Sequence, residues 1–441
     1  MNAPRELART LDQKDLVLVV IGTVIGSGIW LVPGAVLKNS GGDPGLALTV
    51  WLVGGIFSLL GALTFAELGA MYPDSGGSYT YVREAFGPLP AFLLGWTLFL
   101  AINTGSMATL AVAFATYAGE FAPLGTFARR LVAATMIAVV AAVNIRGTRQ
   151  AASVQNWSTG VKVGVILALA VSGLLLGTQG GATASRAFTV PISGSVLSGA
   201  GVGLLGVLWA YEGWVNVTNS AGEARDPQRT FARGIVIGTA ALVAIYLVAN
   251  LGYLAALGPD RVAGTQRVAA DAVRVLYGPL AAKLIGAAVL VSVFSATNGL
   301  ALTSPRTYFA MARDGVFFSK LAEVHPRFGT PALAILASAV WAVFLTLTGT
   351  FEQLFTYVVF ASWLFAGLAA AGVFVLRRRH PGAPRPFRVP GYPLTPALFV
   401  AAASIVVANT FVARPVQALA GMGIVLLGTP VYFSWKRARR A

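Results

Sequence analysis

Two interrupted apolar stretches carry the residues that could bind a small polar molecule inside a membrane. The first covers residues 16–37, which are 22 residues without a charge, and it has Gly26, Ser27 and Gly28 near its middle. An unpaired backbone group in hydrocarbon costs several kcal/mol, so a helix break at this depth must be covered by protein or line a cavity. The amides that open the second half-helix would point into that gap and attract a carboxylate. The alternative is that these glycines only allow helices to pack closely.

The second stretch is residues 209–214, which read WAYEGW. Aromatic side chains flank Glu212 and Gly213 in the middle of an apolar run, where unwound carbonyl groups would accept hydrogen bonds from an ammonium group. Trp209 could close over a bound ligand as a gate. The alternative for Glu212 is a protonated acid that is bonded to a neighbouring helix.

Other ionisable residues inside apolar runs are few, and each is a functional hypothesis because a charge at such depth is costly. Lys162 lies about eleven residues into its run, too deep to reach the interface easily. It either holds two helices together as a fixed cation or titrates, and in both cases it would occupy the space of a sodium ion. Arg306 is expected to pair with an acid such as Glu67 or Glu223, in a gating or structural role.

The composition excludes several classes of protein. Hydrophobic residues make up 56% and charged residues 11%, which identifies an integral membrane protein. The chain has no cysteine, and its two histidines lie in polar connectors, so thiolate chemistry and an intramembrane histidine relay are excluded. Residues 201–206 match GxGxxG, but they lie within an apolar run without a preceding strand, so the dinucleotide-binding interpretation fails. No metal site or cofactor is predicted.

Apolar runs of membrane-spanning length predict twelve transmembrane helices in a single domain, 1–441. They lie near 15–38, 45–71, 89–118, 131–146, 151–177, 197–222, 233–258, 281–311, 331–349, 353–376, 393–413 and 415–435. The fourth span is the shortest.

Charge orients the predicted spans. With the N-terminus inside, the inner segments hold 21 of the 32 Lys and Arg residues and the outer segments nine. This asymmetry predicts that both termini are cytoplasmic, and it explains the net charge of +16 without nucleic acid. Span 1 starts inside and span 6 outside, and their interruptions lie 185 residues apart. We therefore expect two five-span units, 15–177 and an inverted 197–376, followed by two further spans over 393–435.

Several motifs in sequence order then point to a known family. They are IGTVIGSGIWLVPG (21–34), FAELGAMYPDSGGSYTYVREAFG (65–87), LWAYEGWVNVTNSAGEARDPQRT (208–230), YLVANLGYLAALG (246–258), TYFAMARDG (307–315), HPRFGTP (325–331) and PFRVPGYP (386–393). In these the chain resembles the amino acid–polyamine–organocation superfamily, and within it bacterial relatives of the L-type amino acid transporters.

The resemblance implies an all-α, 5+5 inverted-repeat fold with discontinuous spans 1 and 6. It implies that the backbone near Ser27 and Gly28 binds an α-carboxylate and that carbonyls near Trp209 and Ala210 bind an α-amino group. It also implies that Trp209 is a gating aromatic, that Tyr246 in span 7 faces the substrate and that Lys162 in span 5 replaces a sodium site. The predicted substrate-binding residues are Val24, Ser27, Gly28, Ile29, Trp209, Ala210, Glu212 and Tyr246, and the coupling or gating residues are Lys162, Trp209 and Glu212.

The predicted function is sodium-independent transport of α-amino acids, with neutral amino acids as the preferred substrates. Transport is expected to occur by alternating access, as exchange or as proton symport. Glu212 stands where several relatives have glycine or aspartate, which leaves a cationic substrate or proton coupling open. A polyamine or organic-cation transporter is the alternative. An enzyme, or a sensor without transport, is disfavoured: an enzyme needs a clustered nucleophile, base or metal site, and the spans hold no histidine or cysteine and only two acids, far apart in the sequence. Without cysteine, no disulfide-linked heavy chain is expected. The composition suggests a bacterial inner membrane.

Overall fold

The chain forms helices throughout the part that the structure describes. The computed structural model describes residues 7, 9–73, 76–119, 121–348, 351–413 and 415–438. Within them no strand occurs, and the one isolated bridge joins Leu11 to Ala224. The predicted all-α membrane fold is therefore confirmed. The last residue of the predicted ninth span and the basic residues Arg5, Arg414, Arg439 and Arg440 lie outside the described residues.

The α-helices follow the predicted spans closely, and short π- and 3-10 segments occur between some of them. In chain order they are α1 (Gln13–Val24), α2 (Gly28–Asn39), α3 (Pro44–Met71), α4 (Ser78–Phe86), α5 (Pro88–Thr97), a π-helical turn (Leu98–Ile102), α6 (Asn103–Ala118), α7 (Thr126–Ile145), α8 (Thr148–Leu176), α9 (Gly180–Arg186), α10 (Gly194–Ala210), a 3-10 helix (Trp214–Glu223), a π-helical turn (Pro227–Phe231), α11 (Ala232–Leu257), α12 (Pro259–Gly264), α13 (Val268–Tyr277), α14 (Pro279–Thr303), α15 (Pro305–Arg313), a 3-10 turn (Ser319–Ala322), α16 (Ala332–Thr348), α17 (Phe351–Arg379), α18 (Leu394–Ala413) and α19 (Pro415–Ala438).

Ten helical segments of the described chain are long and apolar enough to cross a membrane. The bent pair α1 and α2, which meet at 51°, makes an eleventh. The ninth predicted span corresponds to Ala332–Leu347, an apolar helix shorter than the others. At 1.5 Å per residue such a helix is about 24 Å long, slightly short of the hydrocarbon core. The count of twelve stays a prediction.

The fourth span differs from its predicted bounds. Helix α7 begins at Thr126, five residues before the predicted start. The prediction began the span after Arg129 and Arg130, whereas the helix carries both cations in its exposed second turn. Charge at a helix end is compatible with a span because long basic side chains reach the interface.

Packing places the two interrupted spans at the centre of the bundle. Helix α1 packs against α8, α11 and α14, and α2 packs against α10. Helix α14 in turn packs against α6, so the third and eighth spans close the other side of the same region. The large side chains of Trp30 and Trp51 are almost completely buried there.

Asp43 fixes the outer connector to the start of α3. Its carboxylate accepts the Leu46 amide (2.9 Å) as a helix N-cap. It also accepts the amides of Phe188 (2.9 Å) and Val190 (3.1 Å) from the connector before α10. Burial alone would raise the pKa of Asp43, but these amide donors outweigh burial and hold the pKa below its ordinary value of 3.8.

Candidate functional site

The first interruption separates α1 from α2 over residues 25–27. The amide of Ile25 still bonds to Ile21 (2.9 Å), and the amide of Gly26 turns back to the Val24 carbonyl (2.7 Å). Ser27 precedes α2 without a side-chain cap. The first amides of α2 therefore face the gap without intrahelical partners, at the positive end of the helix dipole. The break can bind an anion without a basic side chain.

The second interruption follows α10 and ends in the 3-10 helix. Gly213 has a φ of +118°, which a residue with a Cβ rarely adopts, so glycine is required at this turn. The two interruptions touch each other, because a Cβ on Gly28 would lie 2.7 Å from the Ala210 Cα. The amide end of α2 thus lies directly against the carbonyl end of α10.

A central cavity opens where the two interruptions meet. Of the predicted residues, Val24, Ser27, Gly28, Trp209 and Glu212 line it. Ile29 and Ala210 are buried behind the cavity surface rather than in its lining. The cavity therefore joins both interruptions in one site, with amides on one side and carbonyls on the other.

The carbonyl groups on the span 6 side of the site already accept hydrogen bonds from the protein. The Trp209 carbonyl accepts the Glu212 amide (2.9 Å), and the Ala210 carbonyl accepts the Tyr246 hydroxyl (2.9 Å). A carbonyl oxygen has two lone pairs, so each can accept a second bond from a ligand. These carbonyls are oriented in advance by the protein.

Tyr246 lies between the two interruptions. Its side chain is fully buried and outside the cavity lining. Its hydroxyl also lies 3.4 Å from the Val24 carbonyl, so it bridges span 1 and span 6. The structure places this predicted substrate-facing residue behind the site, where it joins the two backbone segments that form it.

Lys162 lies at the carbonyl end of α1. Its side chain is fully buried, and its Nζ donates to the carbonyls of Gly22 (2.5 Å) and Ile25 (2.6 Å) and lies 3.4 Å from that of Ser292. The end of a helix leaves carbonyl groups without intrahelical partners, and a cation is favourable there. The Lys162 amine therefore joins spans 1, 5 and 8 through these carbonyl contacts.

Sequence reasoning missed Ser292 of α14. Its hydroxyl accepts the Trp30 indole N–H (3.2 Å), donates to the Gly26 carbonyl (2.9 Å) and also lies 3.1 Å from the Ile25 carbonyl. Span 8 therefore holds both sides of the first interruption. A lone serine in an apolar span gave no signal, because serine commonly bonds back within its own helix.

Four polar residues of the cavity were also missed: Thr23, Asn103, Ser106 and Asn216. A signal existed for the two in span 3, since residues 103–109 read NTGSMAT within an otherwise apolar helix. Small polar side chains in such a run pack between helices or face a cavity. Here Asn103 and Ser106 face the cavity.

Glu212 lies where the central cavity meets a second cavity. The second cavity also has the polar residues Asn216, Asn219 and Ser362 in its lining. No ion pair involves Glu212 within the described part of the chain. Its carboxyl group can therefore meet a ligand from either cavity.

The other predicted charged residues lie away from the cavity. Arg306 is fully buried and binds Glu223 through two bonds, Nε to Oε2 (2.6 Å) and Nη2 to Oε1 (3.1 Å). Thr148 donates to the same carboxylate (2.6 Å). Glu67 instead pairs with Arg377 (2.6 Å). The structure thus selects Glu223 as the partner of Arg306, and both ion pairs connect helix ends.

No metal centre is formed by the described residues, since no three His, Cys, Asp or Glu side chains come together in them. The site instead offers backbone amides, backbone carbonyls, a few neutral polar groups and one carboxyl group. This set can bind a zwitterion.

Comparison with known proteins gives a single family along almost the whole chain. Residues 11–432 match a family described as amino acid permease. The chain is 32% identical over 424 residues to the serine/threonine exchanger SteT of Bacillus subtilis (strain 168), which covers 96% of this chain and 95% of that protein. It is 32% identical over 436 residues to the cystine/glutamate transporter of Homo sapiens (97% and 85% covered). It is 33% identical over 399 residues to the b(0,+)-type amino acid transporter 1 of Mus musculus (87% and 80% covered).

Proposed function

The chain belongs to the amino acid permease family and is a multi-pass membrane transporter of amino acids, and from this premise we propose that it exchanges neutral α-amino acids across the membrane without sodium. Alternating access would expose the central cavity to one side and then to the other.

The observation that carries the proposal is the meeting of two opposite helix ends at one cavity. The uncapped amides that open α2 suit an α-carboxylate, and the carbonyls at the end of α10 suit an α-ammonium group. The contact between Gly28 and Ala210 keeps the two ends close together. An amine without a carboxylate would leave the amides of α2 unpaired, which argues against a polyamine or another organic cation as the substrate.

Lys162 supports the absence of sodium coupling. Its ammonium group occupies the carbonyl oxygens at the end of α1, which are the type of ligand that a sodium ion would take. A second cation among the same oxygens would be repelled at close range. We expect uptake to be unchanged when choline replaces sodium.

Glu212 favours one alternative, a cationic amino acid, because its carboxyl group lies at the cavity without an ion-pair partner in the described chain. One mouse relative is named a b(0,+)-type amino acid transporter. Competition by lysine or arginine against labelled alanine separates the two substrates. A cationic preference that Glu212→Gln removes would favour the alternative.

Exchange is supported by the name of the Bacillus subtilis relative, a serine/threonine exchanger. The test is uptake of labelled alanine into proteoliposomes that contain, or lack, unlabelled alanine. Exchange predicts rapid uptake only into the loaded vesicles. Uptake into empty vesicles that follows an imposed proton gradient would indicate a symporter, and no uptake of any amino acid would refute the proposal.

We also propose the predicted two-unit architecture, with 15–177 and 197–376 as inverted repeats and 393–435 outside them. Support comes from short helices in matching places: α4 follows the second span of the first unit, and α12 and α13 follow the second span of the second unit. The interruptions also occur in the first span of each unit. The charge asymmetry supports cytoplasmic termini in a bacterial inner membrane. The chain has no cysteine for a disulfide to a heavy chain.

A further inference from the structure

Span 3 contains a π-helical turn immediately before the cavity. Over Leu98–Ile102 the hydrogen bonds skip one residue more than in an α-helix, and the Asn103 amide bonds to the Leu98 carbonyl. The Thr104 hydroxyl donates to Phe99, five residues back (2.6 Å). One inserted residue turns the following side chains by about 100° around the helix axis. Such turns are frequent at functional sites, and this one presents Asn103 to the cavity.

Tyr308 fixes the orientation of the Asn103 amide. The Tyr308 hydroxyl donates its only proton to the Leu98 carbonyl (3.1 Å), which the π-helical turn leaves accessible. Its oxygen then accepts a bond from Asn103 Nδ2 (3.3 Å). Because the hydroxyl proton is already used, Asn103 must present its NH₂ group to Tyr308. The Oδ1 atom is left as the free end of the amide.

The Oδ1 atom of Asn103 has no hydrogen-bond partner among the described residues, although the Asn103 side chain is only 1% exposed. Its neighbours in the cavity lining include the apolar side chains of Ile102, Leu110 and Leu300. A buried acceptor without a donor is costly, and the loss is recovered when a ligand brings a donor. An unpaired acceptor in a binding site discriminates between ligands with and without a donor.

We propose that Asn103 Oδ1 accepts a hydrogen bond from the side chain of the transported amino acid, which makes this transporter selective for substrates with a hydroxyl or amide N–H in the side chain. The inference rests on the proposed function and names its substrate class. Threonine and valine are the matched probes, because they have nearly the same shape and differ by a hydroxyl in place of a methyl group. A gain of one neutral hydrogen bond predicts that threonine is preferred about tenfold.

The experiment measures the initial uptake of labelled threonine and valine into proteoliposomes that hold the full chain. The wild type should prefer threonine about tenfold in kcat/KM. Asn103→Leu should bring the ratio of the two substrates close to one by reducing threonine uptake more than valine uptake. Tyr308→Phe, which frees the amide to rotate, should give an intermediate ratio. Thr109→Val is the control, because among the described residues the Thr109 hydroxyl bonds only to Gly105 within the same helix (2.8 Å).

Each other outcome is decisive. A wild-type ratio near one overturns the inference, and so does an Asn103→Leu variant that loses both substrates equally, since Asn103 would then bind the common α-amino group or serve only folding. If Asn103→Leu does not fold, an unchanged ratio in Tyr308→Phe overturns it. Failure of the proposed function looks different, because then neither amino acid would be taken up by the wild type.

Discussion

Replacing Lys162 by methionine should disable transport while the chain still folds. Methionine keeps most of the length and volume of the lysine stem, but it donates no hydrogen bond. The carbonyl groups of Gly22 and Ile25 would then lose their donor at the end of α1. Since α1 ends directly at the cavity, we expect the loss to move the helix end away from its binding position.

The size of the effect follows from the two short bonds of 2.5 and 2.6 Å. A hydrogen bond from a charged group contributes about 1.5–3 kcal/mol, so the pair contributes at least about 3 kcal/mol. Desolvation of the ammonium group offsets part of this. If it offsets half of the lower figure, about 1.5 kcal/mol remains, which is slightly more than tenfold. The population of the binding-competent state should fall by that factor, and the apparent affinity with it.

The assay is alanine exchange in proteoliposomes, with the unfolding temperature in detergent as the measure of folding. Lys162→Met should reduce exchange at least tenfold at subsaturating alanine. Lys283→Ala is the matched control, because Lys283 is exposed near the start of α14. Exchange equal to that of the wild type in a folded Lys162→Met variant would show that the lysine contacts do not hold the site.

Three further predictions concern a close backbone approach, a buried ion pair and a helix cap. Gly28→Ala puts a Cβ 2.7 Å from the Ala210 backbone and should reduce exchange more than tenfold, whereas Gly160→Ala, whose Cβ meets nothing within 4 Å, should leave exchange as it is. Glu223→Leu leaves the Arg306 guanidinium buried without its carboxylate, so it should lower the free energy of unfolding by about 3–5 kcal/mol. Adding Arg306→Met to the same chain should restore most of that loss. If the effects of the two substitutions simply add, the pairing is contradicted. Asp43→Asn should lower the unfolding temperature at pH 7, because a carboxyl group whose pKa is lowered by folding stabilises the protein above its ordinary pKa of 3.8. The difference in unfolding temperature between the variant and the wild type should shrink as the pH falls below that value. A difference that does not depend on pH would refute this prediction.

Much of the site could be predicted because its basis is local in the sequence. Glycines in the middle of long apolar runs predicted both interruptions, since few other residues tolerate a break there. The turn at Gly213, with its positive φ, is a direct case. Lys162 stood out because an amine in an apolar run needs a partner. Its bonds to the end of α1 supply that partner.

The rest depended on pairs of residues that are distant in the sequence. The neighbouring sequence does not show that the Tyr246 hydroxyl donates a hydrogen bond to the Ala210 carbonyl behind the cavity. Nor does it show that Ser292 contacts both sides of the first interruption. The π-helical turn before Asn103 was also invisible, because its stability depends on Tyr308 accepting and donating bonds across two helices. The partner of Arg306 was left open between two acids for the same reason.

The proposed function requires one cavity to bind a carboxylate and an ammonium group of the same molecule. The most direct test is thermal unfolding of the purified chain in detergent with alanine, ethylamine or propionate. Binding to the folded state stabilises it by about 2.7 kcal/mol at a ligand concentration of 100 times Kd. We expect alanine to raise the unfolding temperature and the two fragments, each with one of the charged groups, to leave it unchanged. Stabilisation by ethylamine equal to that by alanine would contradict it.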